Sequence, residues 1–384
     1  MRAFVFTDKA LESEAGRFVW LEMNTDRAQN AAFKAQYKIA ALPTYFIVDP
    51  DSERVLLRRV GGATVPQLLS ILEAGRNAHA SGAAPAALTP ADRILAQGDA
   101  EYGTGDYAAA AKTYREALAV APAEWPAYER TVEALLFALQ GVEENEAAAT
   151  MARDVYPKLR RSASAANVAV TGLDCALALP RENPSRAELL AAMVADAREV
   201  VTDLTLPVAA DDRSSVFGSL IGAYQDAGDS TAAHAMAERW AAFLEDEASR
   251  AVGAEARAVF DPHRMSAYFE LNQPERALPM LEASERDLPD DYNPPARLAA
   301  VYARMERWNE GLAASERALA KAYGPRKLRI LQTRADLQTG MGDVAAARAT
   351  LEEALALAES LPPGQRSERT IDGLRRAIEA MGSR

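Results

Sequence analysis

Short apolar runs and helical stripes alternate over the first seventy-five residues. Phe18-Val19-Trp20-Leu21-Glu22-Met23 is a continuous apolar run, the pattern of a strand covered on both faces. Asp26-Arg27-Ala28-Gln29 has the spacing of a capping box and predicts a helix through Ala31, Ala32, Ala35 and Tyr37, ending near Lys38. Thr44 to Val48 predicts a second strand, Asp49-Pro50-Asp51 a turn, and Val55 to Val60 a third strand closed by Gly61-Gly62. Thr64 then caps a helix with Pro66 in its first turn and Leu68, Leu69, Ile71 and Leu72 facing inward.

From Ile94 onward the period changes to that of paired helices. Ile94 to Tyr102 predicts one helix, Gly103-Thr104-Gly105-Asp106 a turn, and Tyr107 onward a second helix stopped at Pro122. Small residues at Gly98, Ala110 and Ala117 let the two helices approach, and Tyr102, Tyr107 and Tyr114 fill the gaps between them. Similar units run over 214–247, 258–291, 292–325 and 328–361, with Gly311 standing 34 residues after Ala277. Between 125 and 208 the helical pattern persists, but its signature is too worn to count repeats. After Ser367 the stripe Ile371, Leu374, Ile378 and Met381, backed by Arg375, Arg376 and Glu379, predicts a helix that closes the end of the array.

The spacing Gly98, Tyr102, Gly105-Asp106-Tyr107, Ala110, Tyr114, Ala117, Pro122 resembles the tetratricopeptide repeat, with Glu101 standing where that family commonly has Tyr. Tyr37-Lys38-Ile39-Ala40-Ala41-Leu42-Pro43-Thr44-Tyr45-Phe46 resembles the C-terminal half of a thioredoxin-fold domain, and the resemblance extends over about residues 4–75. It implies a cis bond before Pro43 and a Leu42 backbone open to an extended peptide. The family's chemistry needs Cys-x-x-Cys at a helix N-terminus, and this sequence does not supply it. The missing half implies that Met1 is an internal methionine. The expected fold class is therefore mainly α: a TPR-like α-solenoid preceded by a partial α/β thioredoxin-like module. Its expected organisation is the partial module over 1–76, a linker over 77–90, repeats over 91–361 and a capping helix over 362–384. An ordinary helical bundle is the competing reading of the repeats.

Composition narrows the function. Hydrophobic residues make up 49% of the chain and aromatics only 7%, which suits closely packed Ala-rich helices. The net charge is −12, while residues 1–75 balance 9 basic against 9 acidic groups, so the whole excess falls on the helical part. An acidic chain repels phosphate backbones, so no nucleic-acid partner is expected. No apolar run is long enough to span a bilayer, and no membrane partner is expected. The start Met1 to Asp8 breaks its apolar run after three residues, unlike an export signal. The chain as written is expected in the cytoplasm, and a form extended at the N-terminus would be periplasmic or membrane-anchored.

The one cysteine, Cys175, lies in an apolar helical stretch and reads as a buried hydrophobe. His79, His234 and His263 are far apart, and His79 has no visible partner. No catalytic, metal or cofactor residues are assigned. First-helix positions that carry bases in carboxylate-clamping repeats hold Leu95, Asp99, Gly218, Gly222, Ser266 and Asp336 here, so a carboxylate clamp is not expected. The register of the repeat family implies that Tyr102, Gln225 and Phe269 face the groove, and the thioredoxin resemblance adds Leu42 and Pro43 as peptide contacts. The expected function is a protein-interaction scaffold with a protein or peptide in the solenoid groove. The competing reading is a thiol–disulfide oxidoreductase whose Cys-x-x-Cys half is missing. A third reading is a redox-silent peptide binder acting through the backbone beside Pro43. The sequence does not fix the oligomeric state.

Overall fold

The computed structural model describes residues 5–37, 39, 42–60, 62–80 and 89–382. As the composition requires, it is mainly helical, with one two-stranded sheet near the N-terminus among the described residues. A 3₁₀ turn over Lys9–Glu14 and another over Ala28–Asn30 precede α1 (Ala31–Gln36). The hairpin β1 (Thr44–Val48) and β2 (Val55–Val60) and the helix α2 (Val65–Ala80) follow. The chain divides into two compact units, residues 1–18 with 38–240, and residues 19–37 with 241–384.

In the first unit β1 and β2 pair antiparallel, Thr44 opposite Val60 and Ile47 opposite Leu57. The Asp49 carboxylate organises their turn by accepting from the backbone N–H groups of Asp51 (3.1 Å) and Ser52 (2.8 Å) and from the Ser52 hydroxyl (2.9 Å). These bonds, that of the Ser52 N–H first, together with His79 hold Asp49 far below the usual carboxylate range. His79 therefore has a partner after all, its Nδ1 lying 2.8 Å from Asp49 Oδ2. Thr64 and Gln67 cap α2 reciprocally. One apolar cluster joins Leu68, Ile71 and Leu72 of α2 to Ile47, Leu57, Leu11 and Phe18. At Gly75 a Cβ would sit 2.2 Å from Ile47 Cδ1, so glycine is what lets α2 lie on the sheet there. The Leu42–Pro43 peptide is cis.

Two expectations for this region are corrected. Residues Phe18 to Met23 form no strand: Val19 and Leu21 are 88% and 79% exposed, and the stretch after Phe18 belongs to the second unit. An apolar run becomes a buried strand only where a sheet neighbour accepts its backbone, and the described sheet holds β1 and β2 alone. Nor does Asp26 cap a helix, since it forms an ion pair with Arg326 and the turn after it is 3₁₀ before α1 begins. Helix α2 also runs through Asn77 to Ala80, the first residues of the expected linker, while 81–88 lie outside the described residues.

The rest of the first unit is a series of short-looped helices: α3 (Pro90–Gly103), α4 (Tyr107–Val120), α5 (Tyr128–Gly141), α6 (Asn145–Leu159), α7 (Ala165–Ala178), α8 (Arg186–Thr202) and α9 (Ala210–Asp226). The division between units falls inside α10 (Ser230–Arg250). Each of α3 to α8 packs on the next, and α5 on α7, α6 on α8 and α7 on α9, which is the order of stacked helical pairs. Thr89 and Asp92 form a capping box at α3, and Asp106 caps α4. Gly98 admits the Tyr114 ring, whose Cε1 would lie 2.6 Å from a Cβ at that place. The buried Arg213 side chain secures the approach to α9, with Nη1 donating to the carbonyls of Val200 and Asp203 and Nη2 to that of Leu206.

In the second unit α11 (Ala254–Ala258), α12 (Asp261–Glu270), α13 (Leu278–Asp287), α14 (Asn293–Arg304), α15 (Trp308–Lys321), α16 (Arg326–Gly340), α17 (Val344–Ser360) and α18 (Glu368–Gly382) follow one another. Gly311 and Gly340 receive Leu337 and Trp308, the close approach that paired helices need. As the stripe predicts, α18 buries Ile371 and Leu374 against Leu351, Ala354 and Ala358 of α17.

Cys175 is 1% exposed, and burial, aided by neighbouring Asp174, pushes its thiol up to about 12. In native protein it is expected to resist a soluble disulfide reagent and to react stoichiometrically after denaturation. Rapid labelling of the folded chain would contradict this packing. No described helix is long and apolar enough to cross a membrane.

Candidate functional site

The first unit carries a charged face built from α3, α5, α7 and α9. Helix α5 packs on α7 and α7 on α9, while Arg130 of α5 reaches Asp99 of α3. Asp99 is 3% exposed and is neutralised by this pair, and it also accepts from the Tyr114 hydroxyl at 3.0 Å. Burial, then the Asp99 charge, drives the Tyr114 hydroxyl far above its ordinary range. A buried carboxylate of this kind is tolerable only while a cation and a donor stay with it.

The sheet contributes to the same neighbourhood, because β2 packs against α3. Arg58 stands 5.3 Å over the Phe46 ring, and a Cβ at Gly103 would collide with its guanidinium. Burial pushes Arg59 down to about 10, and Arg130 adds to the effect, while Glu133 and Asp99 oppose it. Its Nε has no hydrogen-bond partner. Tyr45 points a buried hydroxyl without a partner into this region and is pushed up to about 12 by burial.

Further along the face stand three carboxylates that burial raises. Glu133 of α5 accepts from Asn167 Nδ2 of α7 at 3.1 Å, yet burial still pushes its carboxyl up. Burial raises Asp174 as well, against a hydrogen bond from Ser219 of α9. Asp212, in the first turn of α9, is pushed up to about 7 by burial, with the charges of Asp211 and Glu133 adding to it. Three half-buried carboxylates that are each costly to ionise make a face that a cationic side chain would relieve. Among the described residues no three His, Cys, Asp or Glu side chains are grouped to hold a metal ion.

The residues singled out in the sequence are dispersed. Leu42 is 61% exposed at the entry to β1, next to Pro43. Tyr102 is half-buried against the Tyr107 ring at 4.9 Å, inside its own helical pair. Gln225 is exposed near the end of α9, and half-buried Phe269 lies near the end of α12 in the second unit. The acidic face itself was not singled out. Its one visible signal was Asp99, an acid at a first-helix place where clamping repeats carry a base.

Residues 292–360, which hold α14 to α17, match the tetratricopeptide repeat family model. No curated protein matches the chain. Among solved structures, a tetratricopeptide repeat protein from Parabacteroides merdae is 9% identical, with 76% of this chain and 98% of that one covered at a TM-score of 0.46. The TPR2AB domain of yeast Sti1 in its complex with pHSP90 is 18% identical, with 75% and 98% covered at a TM-score of 0.29. The segment 292–360 is thus similar to the tetratricopeptide repeat.

Proposed function

We propose that the chain is a protein-interaction scaffold, and that the α3–α5–α7–α9 face of its first unit takes an extended partner segment bearing Lys or Arg. The observation that carries this reading is that burial raises Glu133, Asp174 and Asp212, one on each of three helices packed in series. A guanidinium or ammonium entering the row makes charge-assisted hydrogen bonds where water is largely excluded. Short random peptides displayed on phage and selected on the full chain are expected to be enriched in Lys and Arg. Their binding should weaken with salt and fall in an Asp212→Asn, Glu133→Gln variant. Selection of neutral or acidic peptides, or equal capture by that variant, would sink the reading.

The same face has a pH signature. A carboxyl raised in the folded state favours the fold while it is protonated. The Asp212 contribution is therefore complete below the unfolded value of about 3.9 and is lost as pH rises through about 7. Asp212→Asn is expected to be more stable than the parent at about pH 8, by on the order of 2 kcal/mol, with the difference vanishing near pH 4. Urea unfolding at the two pH values measures it. A variant that gains stability while losing peptide binding separates recognition from folding, as expected of a group kept for a partner.

For residues 42–80 the proposal is a redox-silent docking module resembling part of a thioredoxin fold. The order strand, strand, helix over β1, β2 and α2 supports it. Leu42 keeps the exposure that a peptide contact beside Pro43 needs. Purified protein is expected to reduce insulin with dithiothreitol no faster than a blank, and a faster rate would favour the oxidoreductase reading.

A further inference from the structure

We infer that Tyr323, Gly324, Arg326 and Gln365 of the second unit form a peptide-turn site that the chain's own Asn24–Arg27 segment occupies. A partner that presents the same turn, with an amide first, a carboxylate third and a guanidinium fourth, takes the site when that segment leaves. The site is separate from the acidic face and does not depend on it.

The resident turn is locally organised. Asn24 Oδ1 accepts from the Asp26 N–H at 3.0 Å, and the Asn24 carbonyl accepts from the Arg27 N–H at 3.1 Å and from Asn30 Nδ2 at 2.9 Å. Each position of the turn then meets a different group. Asn24 Nδ2 donates to the Tyr323 hydroxyl at 2.7 Å, and Arg326 lies 2.5 Å from the Asp26 carboxylate. The Arg27 guanidinium stacks 3.4 Å over the Tyr323 ring, whose orientation is set by an edge contact with Tyr292. Gln365 Nε2 donates to the carbonyls of Thr25 (2.9 Å) and Arg27 (3.2 Å), so it reads the backbone of the turn and no side chain.

Two features mark a recess that a turn enters rather than a chance surface contact. Gln365 is 8% exposed and Thr25 3%, so the centre of the turn is enclosed. Gly324 has φ +51°, and a Cβ there would stand 2.4 Å from the Asp26 carbonyl oxygen, so the backbone of the turn rests directly on the glycine.

The resident turn is also an imperfect occupant. It leaves the Oε1 of Gln365 and the Oγ1 of Thr25 buried with no hydrogen-bond partner, and Val19 and Leu21 just before it are exposed. A ligand that donates to Gln365 Oε1 has an advantage that the resident lacks. The resident holds its place because it belongs to the same chain and so competes without a second molecule having to arrive.

The test uses the full chain carrying Asn24→Ala, Asp26→Ala and Arg27→Ala, and a fluorescein-labelled peptide of residues 22–30 as probe. Fluorescence anisotropy is expected to show this variant binding the probe at least about tenfold more tightly than the parent chain, because the tethered competitor is gone. Adding Arg326→Glu should abolish that binding, and a probe with Asp26→Lys should restore it. Gln365→Ala should weaken it for every probe. The inference is overturned if the triple variant does not bind the probe, or if parent and variant bind it equally. It is likewise overturned if a scrambled peptide binds as well, or if the Arg326 and Gln365 changes have no effect.

Discussion

Arg130→Ala is expected to destabilise the first unit by about 3–5 kcal/mol, because it strands Asp99, 3% exposed, without its cation. Arg58 and Arg59 remain within electrostatic reach of Asp99 and keep the loss toward the lower end of that range. The double change Arg130→Met with Asp99→Asn should cost less than Arg130→Ala alone, since the amide oxygen still accepts from Tyr114 and no charge is left buried. Urea unfolding of the three variants tests the ordering. A loss under about 1 kcal/mol for Arg130→Ala would mean that the pair is solvated like a surface ion pair.

Gly172→Ala carries the second large effect. The added methyl would lie 2.3 Å from Met193 Sδ and 2.5 Å from Ala152 Cβ. The thioether can swing away, but the alanine methyl is fixed to α6 and cannot, so α7 has to separate from α6. The expected cost is at least about 2 kcal/mol, even after the gain in helix propensity. Gly218→Ala is the matched control: its nearest neighbour is Trp240 at 3.8 Å, an ordinary contact, so the same change on α9 should stabilise by about 0.5–1 kcal/mol. Equal behaviour of the two variants would show that α6 and α7 are not in contact at Gly172.

Features set by local periodicity were legible in the sequence. Strands β1 and β2, the cap at Thr64, the helical pairs of the second unit and the closing helix α18 all follow from alternation, capping residues and a step near 34 residues. The worn stretch between 125 and 208 has a geometric explanation. Helices α3, α5 and α7 begin at residues 90, 128 and 165, a step closer to 38, because both the first helices of the pairs and the connections between pairs are longer than over α14 to α16. Trp125, in one such connection, is buried and donates to Asp92 at 2.8 Å, so the loop is part of the packing while breaking the register.

Long-range pairings leave no such trace. Asp99 with Arg130, and Asn24 with Tyr323, join residues whose neighbours in sequence give no hint of the partner. The run Phe18 to Met23 misled for the same reason, since its apolar character was visible but the absence of a sheet neighbour was not. The acidic face was hidden because Glu133, Asp174 and Asp212 lie on separate helices, α5, α7 and α9, whose packing the local pattern does not reveal.

The solitary thiol on α7 has a practical consequence. Because the chain has one cysteine and it is buried within the first unit, the rate at which it becomes accessible is a clock for the opening of that unit alone. Pulsed alkylation read by intact mass can then time how fast the charged-face helices breathe, with and without a bound peptide, and no label has to be engineered.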